Sequence, residues 1–357
     1  MSDWRWQMRN RVRTPENLYQ RLPGLQGLGK ICEVIHKFPM AISPYYLSLV
    51  QEPDTSDPIF RQCVPDIQEL FSSPCCVPDP LREHAHSPVP QLVHRYPDRA
   101  LAVVSSTCAM YCRHCTRKRM AGIRERFVAP ALITRHVRYL HQHPEITDVI
   151  VSGGDPLTMS TERLETILQS YRSVPSVEVI RIGSRTPVTL PMRITDKLCA
   201  MLERYHPLWL CTHFNHPREV TAASAAACDK LLRAGVPVLN QTVLLKGVND
   251  RVNTMVELVK ALIAIRVKPY YLFQCDLVQG VEHFRTPTNK GVEIVQALRG
   301  NVSGIAIPQF VVDAPNGGGK IPLNPNYVLS STLKETSLCS CEGKVVDYPE
   351  PVYTNND

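Results

Sequence analysis

Ala100-Leu101-Ala102-Val103-Val104 leads through Ser105 into Ser106-Thr107-Cys108-Ala109-Met110-Tyr111-Cys112-Arg113-His114-Cys115-Thr116-Arg117-Lys118-Arg119. The first run has the length and apolar content of a buried strand, and the second carries Cys-x-x-x-Cys-x-x-Cys. Three thiolates are one fewer than the four that hold an ordinary cubane, so a four-iron cluster on Cys108, Cys112 and Cys115 keeps one iron open for chemistry. The competing reading is zinc, which wants a fourth Cys or His at finger-like spacing. His114 lies inside the triplet, where it is poorly placed to serve.

Working outward, short strand-like runs at 100–104, 148–151, 177–182, 208–211, 236–240 and 269–273 alternate with helical stretches. After the first gap they recur roughly every thirty residues, the length of a strand-helix repeat with a parallel sheet. Six such units predict an α/β fold, a partial (β/α)6 barrel, with a further strand within 304–312. Residues 1–93 read as a helical N-terminal subdomain, in which Thr14 can cap a helix that starts at Pro15. Within it, the proline-rich stretch 74–90 reads as an extended crossing. The chain thus divides into 1–93, the barrel at 94–303, and a C-terminal segment at 304–357.

The carboxyl ends of parallel strands share one rim in such a barrel. The unusual polar residues fall at those ends: the cysteine loop after the first strand, Ser152-Gly153-Gly154-Asp155-Pro156 after the second, and Gly183-Ser184-Arg185 after the third. His213 follows the fourth, Gln241 ends the fifth and Asp276 closes the sixth. The topology predicts their convergence on one cavity.

The chain has 357 residues, 44% hydrophobic and 20% charged, enough for a large core and too well mixed for a disordered chain. Forty Lys plus Arg against 33 Asp plus Glu give +7, without the concentrated stripe that nucleic-acid binding wants. The charged opening from Met1 to Arg11 has no apolar core, and no apolar run approaches a membrane span, so the expectation is a cytoplasmic protein with no membrane partner. Thirteen scattered cysteines imply reduced thiols. Cys32, Cys63, Cys199, Cys211 and Cys228 read as small core residues.

The run Asp313-Ala314-Pro315-Asn316-Gly317-Gly318-Gly319-Lys320-Ile321 is not a phosphate loop, which needs Gly at 314 and Ser or Thr at 321. A lysine presented by flexible glycines suits a Schiff base to pyridoxal phosphate. Arg95, Tyr96 and Arg99, with Arg185, are the groups expected to hold its phosphate. Gly153 and Gly154, lacking a Cβ, are read as letting the backbone approach a ligand.

The cysteine loop at the end of a first barrel strand resembles that of the radical S-adenosylmethionine superfamily. The resemblance implies a [4Fe-4S] cluster whose free iron is chelated by S-adenosylmethionine, with Gly153, Gly154, Asp155, His213 and Gln241 among the cofactor contacts. It narrows with His94-Arg95-Tyr96-Pro97-Asp98-Arg99, Cys112-Arg113-His114-Cys115-Thr116-Arg117, His213-Phe214-Asn215-His216-Pro217 and Leu244-Leu245-Lys246-Gly247-Val248-Asn249-Asp250. Together with Phe310-Val311-Val312-Asp313-Ala314-Pro315 and its glycines, these runs resemble the lysine 2,3-aminomutase family over nearly the whole chain.

That resemblance implies an isomerase that moves the α-amino group of L-lysine to the β-carbon, with pyridoxal phosphate on Lys320. Arg117 would grip the substrate α-carboxylate, and Asp276 and Asp313 would hold the distal ammonium. L-Arginine or another lysine-like cation is the alternative substrate, and a noncatalytic iron-sulfur or zinc-binding regulatory protein is the alternative of a different class. The implied partners are a flavodoxin- or ferredoxin-type electron donor and further copies of the chain. Family members continue into a zinc-binding tail. This chain ends at Asp357 and has Arg251 where the partner cysteine is expected, while Cys339 and Cys341 stand too early to replace it. Phe273 sits where relatives often have Tyr.

Overall fold

The structure is a computed structural model that describes residues 3–351. Met1 and Ser2 of the charged opening, and 352–357 with the Asp357 end, lie outside them. Five short helices come first: α1 (Trp4–Arg9), α2 (Pro15–Arg21), α3 (Leu28–Lys37), α4 (Pro44–Leu47) and α5 (Pro58–Cys63). Thr14 caps α2 as expected, its side chain accepting from Asn17 N, with Pro15 in the first turn. Residues 71–91 then run as an irregular strap whose Val77 bridges to Val278 across the barrel.

The sheet begins with a hairpin, β1 (Leu92–Tyr96) and β2 (Arg99–Ser105), so His94 to Arg99 turn a corner rather than enter the first parallel strand directly. There follow α6 (Pro130–Gln142), β3 (Asp148–Gly153), α7 (Thr161–Arg172), β4 (Val179–Gly183), α8 (Thr186–Thr189), α9 (Asp196–Leu202) and β5 (Leu208–Thr212). Then come α10 (Ala222–Arg233), β6 (Val238–Leu244), α11 (Val252–Ala264), β7 (Lys268–Gln274), α12 (Thr288–Leu298), β8 (Gln309–Ala314) and β9 (Gly319–Pro322).

Strands β2 to β8 pair in chain order and all parallel, with β1 and β9 antiparallel on the two edges. The first and last strands do not meet, so the sheet is the open (β/α)6 barrel predicted, completed by β8. The expected boundary at 303 falls short of the barrel, because β8 and β9 belong to the same sheet. A separate antiparallel sheet, β10 (Val328–Ser331), β11 (Glu335–Cys339) and β12 (Val345–Pro349), was not foreseen.

Helical spacing explains the packing. Met255, Leu258, Val259 and Leu262 of α11 recur at i, i+3, i+4 and i+7 and are all buried, as are Leu164, Ile167, Leu168 and Tyr171 of α7. Each buried aliphatic side chain contributes roughly 1.5–3 kcal/mol. Cys63, Cys199, Cys211 and Cys228 lie in this core, whereas Cys32 is only half-buried on α3. None of the thirteen cysteines forms a disulfide. Among the described residues no helix is long and apolar enough to cross a membrane.

Candidate active site

The loops after β2, β3, β4 and β5 line one cleft, where Cys108, Cys112 and Cys115 meet Gly153, Gly154, Asp155, Arg185 and His213. The three thiols lie within one another's field. Burial, then the neighbouring Asp155 and thiols, pushes Cys108 well above the usual thiol range, and burial followed by Cys112 pushes Cys115 up to about 11. Gathering three thiolates there is unfavourable without cations, and the irons of a cluster supply them. Among the described residues no three His, Cys, Asp or Glu side chains are grouped to hold a single ion. Three thiols around one cleft fit a cluster, whose cysteines bind separate irons.

The two glycines line the cleft and also have a reason within the protein itself. Gly153 has φ +128, and a Cβ there would collide with Ser105 O; one at Gly154 would lie 2.6 Å from Thr107 O. They admit the stem of the cysteine loop, which Gly154 N and Asp155 N then bind at Ser105 O and Thr107 O, 2.5 and 2.8 Å away. Asp155 is likewise committed to the protein, accepting from Ser184 Oγ at 2.6 Å, Arg185 N at 2.9 Å and Leu157 N at 3.0 Å. Its carboxylate ties the loops after β3 and β4 together.

His213 Nδ1 lies 2.9 Å from Gln241 O. Burial and the nearby Arg185 hold this imidazole down to about 4, so it is neutral, donates from Nδ1 and keeps Nε2 as an acceptor. Gln241 sits two residues from Val243, which lines the cleft, so both lie on the same face of β6.

Arg185 corrects an expectation. Its guanidinium bonds Cys112 Sγ, Gln62 Oε1, Glu219 Oε1 and His213 O, beside the cysteines, and does not join Arg95, Tyr96 and Arg99.

The second half of the site sits where β7 and β8 end and β9 begins. Lys320 Nζ donates to both oxygens of Asp313, at 2.7 and 3.0 Å, and lies 4.9 Å from the centre of the Phe273 ring. Asp276 is half-buried, accepts from Thr116 Oγ1 at 2.5 Å, and feels the charges of Asp313, Lys320 and Arg117. Thr116 and Arg117 also line the cysteine cleft, so they join the two halves.

Beside Lys320, Tyr96 Oη accepts from its backbone N–H at 2.9 Å, and Arg99 and Arg95 lie 3.8 and 5.3 Å from the Tyr96 ring centre. A Cβ at Gly319 would come within 2.9 Å of Arg95 Nη2. This cationic cradle fits an anionic group next to the lysine. The glycines that present Lys320 are not loose: a Cβ at Gly317 would meet His86 Nε2 at 2.8 Å, and Asn316 N donates to Pro80 O of the strap at 3.1 Å.

Glu83 is the residue that sequence reasoning missed. Its carboxylate takes Arg117 Nε at 2.9 Å and Nη2 at 2.7 Å, and Arg119 Nη2 at 2.7 Å. Lying in a strap without periodicity, it gives no local signal.

A family model described as Lysine-2,3-aminomutase matches residues 295–357, and one described as Radical SAM superfamily matches 102–259. The L-lysine 2,3-aminomutase of Clostridium subterminale is 50% identical over 98% of this chain and 85% of its own length. This chain belongs to the lysine 2,3-aminomutase family. As a family member it is an isomerase, and its cofactor set is the one expected: a [4Fe-4S] cluster, S-adenosylmethionine and pyridoxal phosphate. The L-lysine 2,3-aminomutase of Bacillus subtilis is 47% identical over 98% of this chain and 74% of its own length. The family similarity also reaches a glutamate 2,3-aminomutase of Clostridioides difficile, 44% identical over 97% of this chain and 82% of its own.

Proposed function

We propose that this aminomutase acts on L-lysine, moving its α-amino group to the β-carbon. The observation that carries the reading is the pair Asp276 and Asp313, with a primary ammonium, that of Lys320, already seated on Asp313 at 2.7 Å. Two converging carboxylates repel unless a cation joins them, so the pocket selects a substrate with a cationic tail. A glutamate side chain would bring a third anion to the same place.

The chain's own residues then divide the work. Asp276 and Asp313 bind the distal ammonium, and the guanidinium edge of Arg117 left by Glu83 binds the α-carboxylate. Arg95, Tyr96 and Arg99 would hold the phosphate of pyridoxal phosphate beside Lys320, whose amine would carry the cofactor. Cys108, Cys112 and Cys115 would hold the cluster, and Gly153, Gly154, His213 and Gln241 on the same rim would meet S-adenosylmethionine. When bound, pyridoxal phosphate supplies an electron sink at the migrating nitrogen, and the cluster with S-adenosylmethionine supplies the radical that removes hydrogen. Asp155 and Glu83 position these groups.

Arginine is the competing substrate, since a guanidinium also pairs with two carboxylates. Anaerobic incubation with lysine, arginine and glutamate separately, read by mass spectrometry of β-amino products, tests the reading; faster turnover of arginine or glutamate overturns it. Borohydride reduction with pyridoxal phosphate should label the Lys320 peptide, and Lys320→Ala should lose both label and turnover. For the electron donor we propose a flavodoxin or ferredoxin, an acidic partner suited to a chain of charge +7 in the cytoplasm.

A further inference from the structure

Arg185 is buried, and all three of its nitrogens have partners. Nε donates to His213 O at 2.9 Å, Nη1 to Cys112 Sγ at 2.9 Å, and Nη2 to Gln62 Oε1 at 2.6 Å and Glu219 Oε1 at 2.7 Å. Those partners are themselves fixed. Glu219 also accepts from Tyr46 Oη at 2.6 Å, Asn215 N at 2.6 Å and His216 N at 3.0 Å. Gln62 Oε1 takes Asn215 Nδ2 at 3.0 Å, and Gln62 Nε2 donates to Pro58 O at 3.1 Å. A planar fork held on two sides can aim its remaining N–H in only one direction, here at a cysteine sulfur.

We propose that Arg185 sets the reduction potential of the iron-sulfur cluster by donating from Nη1 to the sulfur of Cys112. The proposal rests on the reading of Cys112 as a cluster ligand. Reduction adds one negative charge to the cluster, so a guanidinium and its N–H at the sulfur stabilise the reduced form more than the oxidised one and raise the potential. Burial keeps water from screening that charge. Glu219 offsets part of it while locking the fork, and Gln62, a neutral acceptor at the same nitrogen, orients it without further offset. Because Gln62 and Tyr46 come from α5 and α4, the N-terminal helices reach the cluster's Cys112 through this side chain.

Full-length protein, reconstituted anaerobically with iron and sulfide and titrated with redox mediators in the absence of S-adenosylmethionine, gives the midpoint from the EPR signal of the reduced cluster. Arg185→Gln should shift the midpoint to more negative potential at unchanged iron and sulfide content. Arg185→Lys, which keeps the cation, should fall between it and wild type. Gln62→Glu, which places a second carboxylate on Nη2, should shift it the same way by less. An Arg185→Gln protein with full cluster content and the wild-type midpoint overturns the proposal. Should that variant not retain its cluster, a wild-type midpoint in Gln62→Glu overturns it equally. A Cys112→Ser protein that takes up as much iron as wild type would overturn the ligand reading instead.

Discussion

Asp276 is the group expected to carry the pH dependence of the proposed site. Burial, reinforced by Asp313 and opposed by the hydrogen bond from Thr116, raises its carboxyl to about 6. It is therefore an anion above that pH and neutral below it. In the holoenzyme, kcat/KM for lysine should fall as pH drops through about 6, and Asp276→Asn should be slow throughout and lose that limb. A wild-type profile flat from pH 5 to 7 (about one unit on either side of 6) would contradict the role. Phe273 marks another residue-scale consequence, since its ring lies against the Lys320 ammonium where a tyrosine would add a hydroxyl. Phe273→Tyr should keep turnover within a few-fold.

At the scale of elements, the strap 71–91 and the cysteine loop depend on each other. Glu83, held at about 2 by Arg117 and Arg119 despite its burial, contributes stability fully present above about 4.5 and lost as the pH falls toward 2. The gap between 4.5 and about 2 corresponds to about 3 kcal/mol. Glu83→Ala should therefore cost about 3 kcal/mol in urea unfolding near neutral pH, the lower end for breaking a buried pair, and should raise KM for lysine more than it lowers kcat. The β3 glycines make a second element-scale case. Gly154→Ala would push Cβ into the cysteine-loop stem, so the folded variant should bind markedly less iron after reconstitution, which iron analysis reads directly.

The strands, the rim and the lysine were legible in the sequence because each has a local signature: apolar runs of strand length, glycines and cysteines at fixed offsets, a lysine after three glycines. The hairpin at Pro97-Asp98 and the sheet from β10 to β12 were not. Pro97 and Asp98 carry no glycine to mark a tight turn, and in the second sheet the outer strands β10 and β12 are exposed and the central β11 only half-buried, so their sequence lacks the alternation that burial on one face imposes.

For the whole molecule, the N-terminal subdomain is part of the site rather than an appendage. Glu69, fully buried, takes Arg113 Nε at 2.8 Å and Lys118 Nζ at 2.7 Å on either side of Cys115, and Arg11 reaches Cys108 O at 2.5 Å and Glu125 at 2.7 Å. Glu69→Ala should lower stability by about 3–5 kcal/mol, since it strands two buried cations. Hydrogen exchange should separate the two sheets, with slow amides in β3 to β7 and fast ones in β10 to β12, where there is little burial to protect them. Equal protection in both would show that something covers the second sheet in solution.

The sequence by itself determined the barrel, its rim and the kinds of chemistry present, because periodicity and residue type are properties of the chain. Only the tertiary structure decided which charge serves which group. Arg185 joined Cys112 rather than the phosphate cradle, Glu83 took hold of Arg117, and the paired glycines made room for a protein backbone. Those choices depend on how irregular segments distant in sequence pack against one another, and in a buried, weakly screened interior each charge settles on the partner that packing brings within hydrogen-bond reach.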